Sequence, residues 1–400
     1  MRKNSILATM SLLLMASCSS ENVLDNQGGN PLDETTVQEI VLGSGMSVSV
    51  NPRSRGMGAV GDTEGTNAWN GELVYIYGIN TSATGDAQFY INAQTANTPA
   101  ATASGQLTWA TPGVAYYYSG NDIMDFYGAH VDDAVTANNM PIATGTNLST
   151  TGYAVNVSFN GSQDLMVAST DKAADITAAN NAEQVTTADV AKLYSSWSAR
   201  RKVVPNLIFN HLLTRLNFQA KCGTSPIPGV EANAIDMIKI TKLEVVDVYN
   251  SGSLQIIPTA ASAQGLTPTA KDAQNPVNFE VFNEGTGQLT ALQPVNIVSS
   301  ELVPVGADLL VYPEQSYKIV IYTEQDKNCD GTIQEGEKTK KNWTIQLADN
   351  APFVAGNMYD INIIIYGLED IKVNASLTVW GDGGDITIDP DDIGNIPAAQ

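Results

Sequence analysis

The stretch LIFNHLLTRLNFQA, residues 207–220, decides the fold class. It holds two short apolar segments, Leu207–Phe209 and Leu212–Ala220, which have the length and composition of strands. The run Cys222–Gly229 follows, and its glycines and prolines are typical of a linker. These residues predict two strands followed by a domain boundary near residue 221.

Short strand-like segments recur along the rest of the chain, separated by clusters of Gly, Asn, Asp and Pro. Clear examples are Leu73–Tyr77, Met124–Tyr127, Ala154–Phe159, Tyr317–Tyr322 and Tyr359–Tyr366. The Ala-rich residues 171–199 hold one candidate short helix, Thr186–Tyr194. Many short strands with turns between them are typical of β-sandwiches. The sequence therefore predicts an all-β protein with two tandem β-sandwich domains, residues 56–221 and 222–400.

Residues 1–17 have the pattern of a lipoprotein signal peptide. A basic start is followed by the apolar run Ile6–Met15, which is too short to span a bilayer comfortably. The small residues Ala16 and Ser17 then precede Cys18, so we expect cleavage before Cys18 and its acylation, for example with palmitate. Acyl chains contribute about 0.8 kcal/mol per buried methylene, which makes several of them a firm tether to outer-membrane lipid. The alternative is an ordinary signal peptide with a chance cysteine.

Charge and cysteine content argue against a nucleic-acid-binding protein and against a disulfide-rich scaffold. The chain has 20 Lys and Arg against 42 Asp and Glu, which gives a net charge of −22. Because phosphate binding needs basic patches, nucleic acid is not expected as a partner. Besides Cys18 there are only Cys222 and Cys329, so one disulfide is possible and a disulfide scaffold is excluded.

Catalytic motifs are lacking in the sequence, and we expect no enzyme. The only histidines are His130 and His211, and neither neighbours a Ser or Cys nucleophile motif. There is no HExxH, GxSxG or glycine-rich phosphate loop. His211 lies on a predicted strand, where a hydrogen-bonded structural role is expected.

A pair of arginines follows the first predicted strand. Residues 19–36 read as a flexible tether, and Val37–Val50 as a strand, within which Met46–Val50 alternates strictly between apolar and polar. Arg53 and Arg55 come next, before the glycine-rich loop Gly56–Gly71, where a protease can bind. The alternative is an ordinary exposed loop. A second basic cluster, residues 200–202, is interpreted as a solvated loop.

A calcium-loop pattern lies at residues 326–337. The sequence DKNCDGTIQEGE fits D-x-[DN]-x-[DN]-G-x5-E, and its strand-like flanks argue against a helical EF-hand. A structural calcium ion is possible between two strands, and the alternative is a solvated acidic hairpin. The predicted ligands are Asp326, Asn328, Asp330, Thr332, Gln334 and Glu337.

Several segments together resemble the fimbrillin family, the pilin lipoproteins of type V pili. Their order and spacing carry the resemblance, although the prolines usual near the tyrosines are missing. The segments are Phe209–Phe218, Trp109 with Tyr116–Tyr118 and Asp125–Ala129, Asp164–Ala168, and Gly356–Ile361 followed by a strand ending at Trp380.

The resemblance implies two transthyretin-like Greek-key sandwiches that form a structural, pilin-like subunit of a cell-surface fimbria with a role in adhesion. In such subunits a trypsin-like or Arg-specific protease removes the first strand, and a strand from another subunit fills the groove. Arg55-Gly56 best matches that cleavage site, with Arg53 as the fallback, so residues 18–55 would be the propeptide. The implied partners are other pilin subunits, outer-membrane lipid and a host or bacterial surface ligand, with no required cofactor.

Two questions stay open at this point. The donor strand is either Ile371–Val379, whose apolar residues alternate but which also suits an ordinary last strand, or part of residues 383–400, which contain Ile386, Ile388 and Pro390. The alternative function is a non-polymerising surface lipoprotein or a tip adhesin that binds glycans or host proteins.

Overall fold

The computed structural model of the chain describes residues 38–46, 69–81, 83, 89–102, 104–111, 115–118, 122–178, 185–223, 238–283, 290–297, 301–328, 330–366 and 371–378. Nearly all regular structure in these residues is β, as predicted. The strands are β1 (Gly43–Met46), β2 (Trp69–Asn70), β3 (Leu73–Asn80), β4 (Phe89–Asn97), β5 (Ala100–Thr102), β6 (Ser104–Gln106), β7 (Thr108–Trp109), β8 (Met124–His130), β9 (Tyr153–Ser158), β10 (Met166–Thr170), β11 (Asn206–His211), β12 (Thr214–Cys222), β13 (Ile238–Val246), β14 (Ser251–Ile257), β15 (Gly265–Pro268), β16 (Asn278–Glu280), β17 (Phe282–Asn283), β18 (Thr290–Ala291), β19 (Val295–Ile297), β20 (Val303–Pro304), β21 (Leu309–Val311), β22 (Tyr317–Glu324), β23 (Lys338–Ile345), β24 (Met358–Ile365) and β25 (Ile371–Thr378).

Helical structure is short and peripheral. The helix expected around Thr186–Tyr194 is a 3-10 turn at Thr187–Lys192. None of the helices in the described ranges has the length and apolar character needed to cross a membrane. The α-helices are α1 (Leu148–Thr151), α2 (Lys172–Ala178) and α3 (Ser196–Ala199), and further 3-10 turns lie at Ala137–Asn139, Glu335–Glu337 and Ala348–Asn350.

An eight-stranded sheet occupies the N-terminal half, in the order β6-β1-β11-β10-β8-β3-β4-β7. One face contributes Ile76, Phe126 and Phe209 to a core of its own. The other face contributes Tyr77 and Val167 to a second, larger core. Because both faces are covered, β3 is buried at every position after its first residue, which explains its continuous apolar sequence.

Two five-stranded sheets form a sandwich in the C-terminal half. One has the order β20-β12-β24-β25, with β21 also paired to β12. The other has the order β16-β13-β22-β23, with β19 also paired to β13. Inward side chains of both sheets, such as Phe218 and Ile319, meet in the larger core. Alternation of buried and half-buried residues along β13 and β24 is the pattern that sandwich strands require.

The two halves of the chain share one small sheet. Strand β9 pairs with β14, from Ser158↔Ser251 to Tyr153↔Ile257, and β14 pairs with β15. A strand from the first half is therefore hydrogen-bonded to strands of the second half.

Strand pairing changes sheet earlier than the boundary predicted near residue 221. Strand β11 belongs to the eight-stranded sheet, whereas β12 pairs in parallel with β24 over eight residues, from Arg215↔Met358 to Cys222↔Ile365. The change of sheet falls at residues 212–213, between β11 and β12. The partner of β12 lies far along the chain. The division into domains 56–221 and 222–400 stays a prediction.

Candidate functional site: the N-terminal segment and its groove

Residues 38–46, here called the N-terminal segment, are built into the eight-stranded sheet. Its strand β1 lies between β6 and β11. Pairing with β11 is parallel, from Gly43↔Asn206 to Met46↔Phe209, and pairing with β6 is antiparallel. Within the described ranges β6 joins this sheet through β1 alone. The space that the segment occupies, between β11 on one side and residues 104–111 and 115–117 on the other, is called the groove below.

Residues before β1 are held by further backbone hydrogen bonds. The Ile40 N–H donates to the Ala115 carbonyl at 2.9 Å, and the Tyr117 N–H donates to the Gln38 carbonyl at 2.8 Å. The Leu107 N–H donates to the Leu42 carbonyl at 2.9 Å. The Trp109 indole Nε1–H also donates to the Ile40 carbonyl at 2.9 Å. The N-terminal segment thus supplies hydrogen-bond partners to both walls of the groove.

Two large side chains of the segment are inserted into the core. Ile40 is 0% and Leu42 is 1% exposed, and both pack in the core that contains Trp69, Tyr117 and Phe209. Burying an aliphatic side chain is worth about 1.5–3 kcal/mol, so the pair contributes at most about 3–6 kcal/mol. The segment is therefore an integral part of the folded sheet.

Small residues follow in β1, where the segment approaches its neighbours closely. A Cβ atom placed on Gly43 would lie 2.8 Å from Asn206 Oδ1, and one on Gly45 would lie 3.1 Å from Ile208 Cδ1. Ser44 between them is 1% exposed, and its Oγ donates to the Gly105 carbonyl at 3.1 Å. The groove is wide at its Ile40–Leu42 end and narrow at its Gly43–Gly45 end.

The sequence predicted a strand over Val37–Val50, and β1 lies within these bounds. The strict alternation covers Met46–Val50, of which the described part contains only Met46, the last residue of β1. The strict alternation does not reach back over β1, because β1 contains two glycines, which are rare in strand interiors. Ser47–Val50 lie outside the described residues, as do Cys18, Arg53, Arg55, Gly56 and the tail 383–400.

The basic cluster at residues 200–202 is not the solvated loop that the sequence predicted. Arg200 is 7% exposed, and its N–H donates to the Ser196 carbonyl at 3.1 Å. The Arg201 guanidinium lies 4.0 Å from the Trp197 ring centre and donates to the Trp197 carbonyl. Only Lys202 is exposed. The prediction failed because sequence spacing reveals neither the burial of Arg200 nor the cation–π stacking that holds Arg201 against the protein.

The alternating C-terminal segment forms β25, the last strand within the described residues. Strand β25 pairs antiparallel with β24 over eight residues, from Ile371↔Ile365 to Thr378↔Met358. Within β25, Ile371 and Ala375 are buried. Of the two readings that the sequence left open for residues 371–379, this arrangement matches the ordinary last strand, with β25 at one end of its sheet.

Comparison with known proteins identifies the family. The fimbrillin-like family model matches residues 62–380, which is most of the chain. The chain belongs to the fimbrillin-like family. A search of curated proteins found no match.

Solved structures similar to this fimbrillin-like chain are distant in sequence. One is a protein provisionally assigned to cell adhesion from Bacteroides uniformis, with 14% identity, a TM-score of 0.44, and coverage of 86% of this chain and 98% of the other. A fimbrial assembly protein from Parabacteroides distasonis has 11% identity, a TM-score of 0.35, and coverage of 86% and 97%. The fimbrial anchor protein Mfa2 from Porphyromonas gingivalis has 9% identity, a TM-score of 0.31, and coverage of 86% and 99%.

Family membership makes this chain a structural, fimbrial protein of the cell surface and not an enzyme. The fimbrillin-like chain uses its histidines structurally: His211 Nδ1 lies 2.8 Å from Asp164 Oδ2, and both side chains are buried. Burial raises the pKa of Asp164, but His211 and other nearby cations outweigh it and hold the pKa below its usual value. The expected hydrogen-bonded role of His211 is confirmed.

The loop with the calcium pattern is a hairpin between β22 and β23, as its flanks predicted. Two predicted ligands at its base are buried, Asp326 and Glu337. The Gly331 N–H donates to Asp326 Oδ2 at 2.7 Å, while the N–H groups of Lys327 and Gln334 donate to the two Glu337 oxygens at 2.8 and 2.9 Å. Backbone donors thus occupy both buried carboxylates.

The remaining predicted ligands lie at the exposed tip of this hairpin. Asp330 accepts hydrogen bonds from the Thr332 N–H at 2.8 Å, Asn328 Nδ2 at 3.0 Å and Gln334 Nε2 at 3.2 Å. No group of three His, Cys, Asp or Glu side chains that could hold a metal ion occurs in the described part of the chain. Calcium binding therefore stays a prediction.

Proposed function

We propose that the protein is a subunit of a cell-surface fimbria that polymerises by donor-strand exchange and serves adhesion. It is exported as a lipoprotein whose Cys18 carries the lipid, and it reaches the outer membrane in this form. A trypsin-like or Arg-specific protease then cuts after Arg55, or after Arg53 as the fallback. The N-terminal segment leaves, and a strand from another fimbrial subunit takes its place.

The single observation that carries the proposal is the position of the N-terminal segment. Its strand β1 is an internal strand of the sheet, with β6 on one side and β11 on the other. Yet it lies N-terminal to the arginine pair in the sequence, so one cut would sever it from the strands around it. A removable strand that is also a buried strand is what donor-strand exchange requires.

Removal would leave the groove with unpaired groups. The Tyr117 and Leu107 N–H groups, the Trp109 indole and the Ala115 and Pro205 carbonyls would lose their partners in the N-terminal segment. The core around Phe209 would lose two large aliphatic side chains. An extended strand with apolar residues at every second position would replace both sets of contacts. Its main chain would pair with the groove walls while its apolar side chains fill the side-chain pockets.

The other basic cluster supports a cut at the arginine pair. A protease needs an accessible, extended backbone. The backbone N–H groups of Arg201 and Lys202 donate to carbonyls of α3 at 3.0 and 2.9 Å, and Arg200 is buried. This cluster therefore resists cleavage in the folded protein, which leaves Arg53 and Arg55 as the preferred sites.

The alternative function, a non-polymerising surface lipoprotein or tip adhesin for glycans or host proteins, has less support. Exposed aromatic rings are the usual platform for sugars. The described tryptophans are buried or half-buried, with Trp69 at 0% and Trp197 at 9% exposure. Trp109 donates to the N-terminal segment. These rings serve the fold and do not form a sugar platform.

Limited proteolysis of the purified precursor tests the proposal. Trypsin should give one truncation after Arg55, or after Arg53, followed by ladders of polymers on a gel. Replacement of both arginines by Ala should abolish the truncation and the ladder. The Arg→Lys double variant is the matched control, because trypsin cuts it while an Arg-specific protease does not. Polymers formed equally well by the Ala variant would refute the proposal.

A further inference from the structure

The outer face of the β13-β22-β23 sheet has an apolar spot. Val320 of β22 faces away from the sandwich interior, because Ile319 and Ile321 on either side of it pack in the larger core. Val246 of β13 faces outward for the same reason, since its neighbour Val245 packs in that core. Val320 is only 6% exposed, yet it belongs to neither of the two cores. Because outward positions of sandwich strands are normally polar, the two valines are unusual there.

A cavity of about 300 Å³ lies over these valines and is called the outer cavity. Strand pairing places Lys318 between Val246 and Thr344. Val320 lies beside Asn342 in the same way. Lys318, Asn342 and Thr344 are exposed, whereas Val320 is buried. The outer cavity therefore has an apolar floor, and its rim offers one ammonium, one amide and one hydroxyl group. Its volume is at the lower end of the range of small-molecule sites, about 300–1,000 Å³.

Positive charge collects at the rim of the outer cavity. Lys340 lies on the exposed face of β23, two residues before Asn342. Among the residues that the structure describes, neither Lys318 nor Lys340 forms an ion pair. Lys338, further along β23, lies opposite Glu324 and so has an acidic neighbour. Lys318 and Lys340 thus present unpaired ammonium groups on a chain whose net charge is −22.

The carboxylate nearest in register to the outer cavity is already occupied. Glu244 lies beside Val320 on the neighbouring strand. Its Oε1 is 2.8 Å from Lys242 Nζ, and its Oε2 accepts a hydrogen bond from the Tyr322 hydroxyl at 2.9 Å. Both oxygens are therefore held by neighbours, and the Lys242 ammonium offsets their charge. The lysines at the rim are left for an anion from outside.

These groups together match the chemistry of a sugar acid. A sugar ring has an apolar face that packs on aliphatic side chains, and its hydroxyl groups exchange hydrogen bonds with amides and hydroxyls. A carboxylate on the ring pairs with ammonium groups through charge-assisted hydrogen bonds. A protein partner fits less well, because protein interfaces are depleted in lysine and centre on large aromatic or arginine anchors. Recognition of this kind needs no exposed aromatic ring, so it is compatible with the buried tryptophans.

We propose that the outer cavity binds a carboxylated sugar of a surface glycan. The carboxylate lies between Lys318 and Lys340, the hydroxyl groups bond to Asn342 and Thr344, and the apolar face of the ring covers Val320. The inference rests on the adhesive role proposed above and names the chemical class of the ligand. It does not depend on strand exchange, because the outer cavity lies in the C-terminal half and shares no residue with the groove.

Binding to the purified precursor tests the ligand class. A fluorescent tetrasaccharide of glucuronic acid is titrated by anisotropy, and the same tetrasaccharide with its carboxyl groups reduced to alcohols is the matched control. Sialyllactose and its methyl ester form a second pair, because sugar acids differ in shape. At least one acidic probe should bind about fivefold or more tightly than its neutral control, since the charge is the main difference. Equal binding within each pair, or no binding of either acidic probe at millimolar concentration, would overturn the proposal.

Three variants test the position of the site with the acidic probe that binds. Lys318→Ala should weaken binding about threefold or more, because it removes one ammonium group. Thr344→Trp should weaken it about tenfold or more, because the indole fills the outer cavity while the charge is unchanged. Lys221→Ala removes a lysine from β12 in the other sheet, and its binding should stay within about twofold. Circular dichroism checks that each variant is folded.

The outcomes separate this inference from donor-strand exchange. Full binding by Thr344→Trp, or equal losses for the two lysine variants, would show attraction by general charge and overturn the cavity site. Tighter binding of a fluorescent tetra-aspartate peptide than of both acidic sugars would assign the outer cavity to a protein partner and overturn the sugar. Trypsin-induced ladders that form when neither sugar binds would overturn this inference alone, whereas sugar binding without ladders would overturn donor-strand exchange alone.

Discussion

Replacing Leu42 with Ala separates the role of the N-terminal segment in the precursor from its role in the fibre. Leu42 is 1% exposed in the core. A buried Leu→Ala change costs about 2–5 kcal/mol, because it removes apolar contacts and leaves a cavity. We expect the free energy of unfolding of the precursor to fall by this amount. The processed fibre should be unaffected, because residue 42 has left it.

The assay compares two materials from each variant. Urea unfolding of the precursor, followed by tryptophan fluorescence, gives the free energy of unfolding, and heating in detergent gives the dissociation temperature of the fibre. Val41→Ala is the matched control: Val41 is the half-buried neighbour on the opposite face of the segment. Its change should cost less than about 1 kcal/mol. Equal losses for both variants, or a weaker fibre from the Leu42 variant, would refute the reasoning.

Three further predictions concern other parts of the chain. Burial lowers the pKa of His130, but the Asp132 carboxylate outweighs burial and raises the pKa to about 9. The resulting stability, on the order of 3 kcal/mol, is present below the unfolded pKa of about 6.5 and lost as the pH rises through 9. Urea unfolding at pH 6 and pH 9.5 should show this loss of stability, and Asp132→Asn should remove most of the difference between the two pH values. Calcium should raise the melting temperature of the wild type at millimolar concentration and leave that of Glu337→Gln unchanged relative to EDTA, while an equal effect on both would assign the ion elsewhere. Cys18→Ser should abolish incorporation of labelled palmitate and release the precursor from the outer-membrane fraction, and continued labelling would exclude Cys18 as the lipid site.

The sequence predicts the all-β fold because strand length and alternation are local properties. The strand character of Leu212–Ala220, for example, follows from its own residues and is confirmed by β12. Its parallel pairing with Met358–Ile365 is not local, so these residues alone could not predict the change of sheet between β11 and β12. Partner choice depends on residues far apart in the chain, and a single sequence carries little information about it.

In the candidate site, too, the local features could be predicted, but the contacts between distant residues could not. The sequence indicates a removable strand before Arg53 and Arg55, and the structure places the N-terminal segment inside the sheet. The need for glycine at positions 43 and 45 could not be predicted, because it depends on the close approach of Asn206 and Ile208 in the folded protein.

A structure of the processed, assembled fibre by electron cryomicroscopy tests the central claim most directly. The account predicts that residues 38–46 are absent and that a strand from a neighbouring subunit lies between β6 and β11. That strand should place two large aliphatic side chains beside Trp69 and Phe209, where Ile40 and Leu42 pack in the precursor. Subunits that assemble while each keeps its own residues 38–46 in this position would contradict the account.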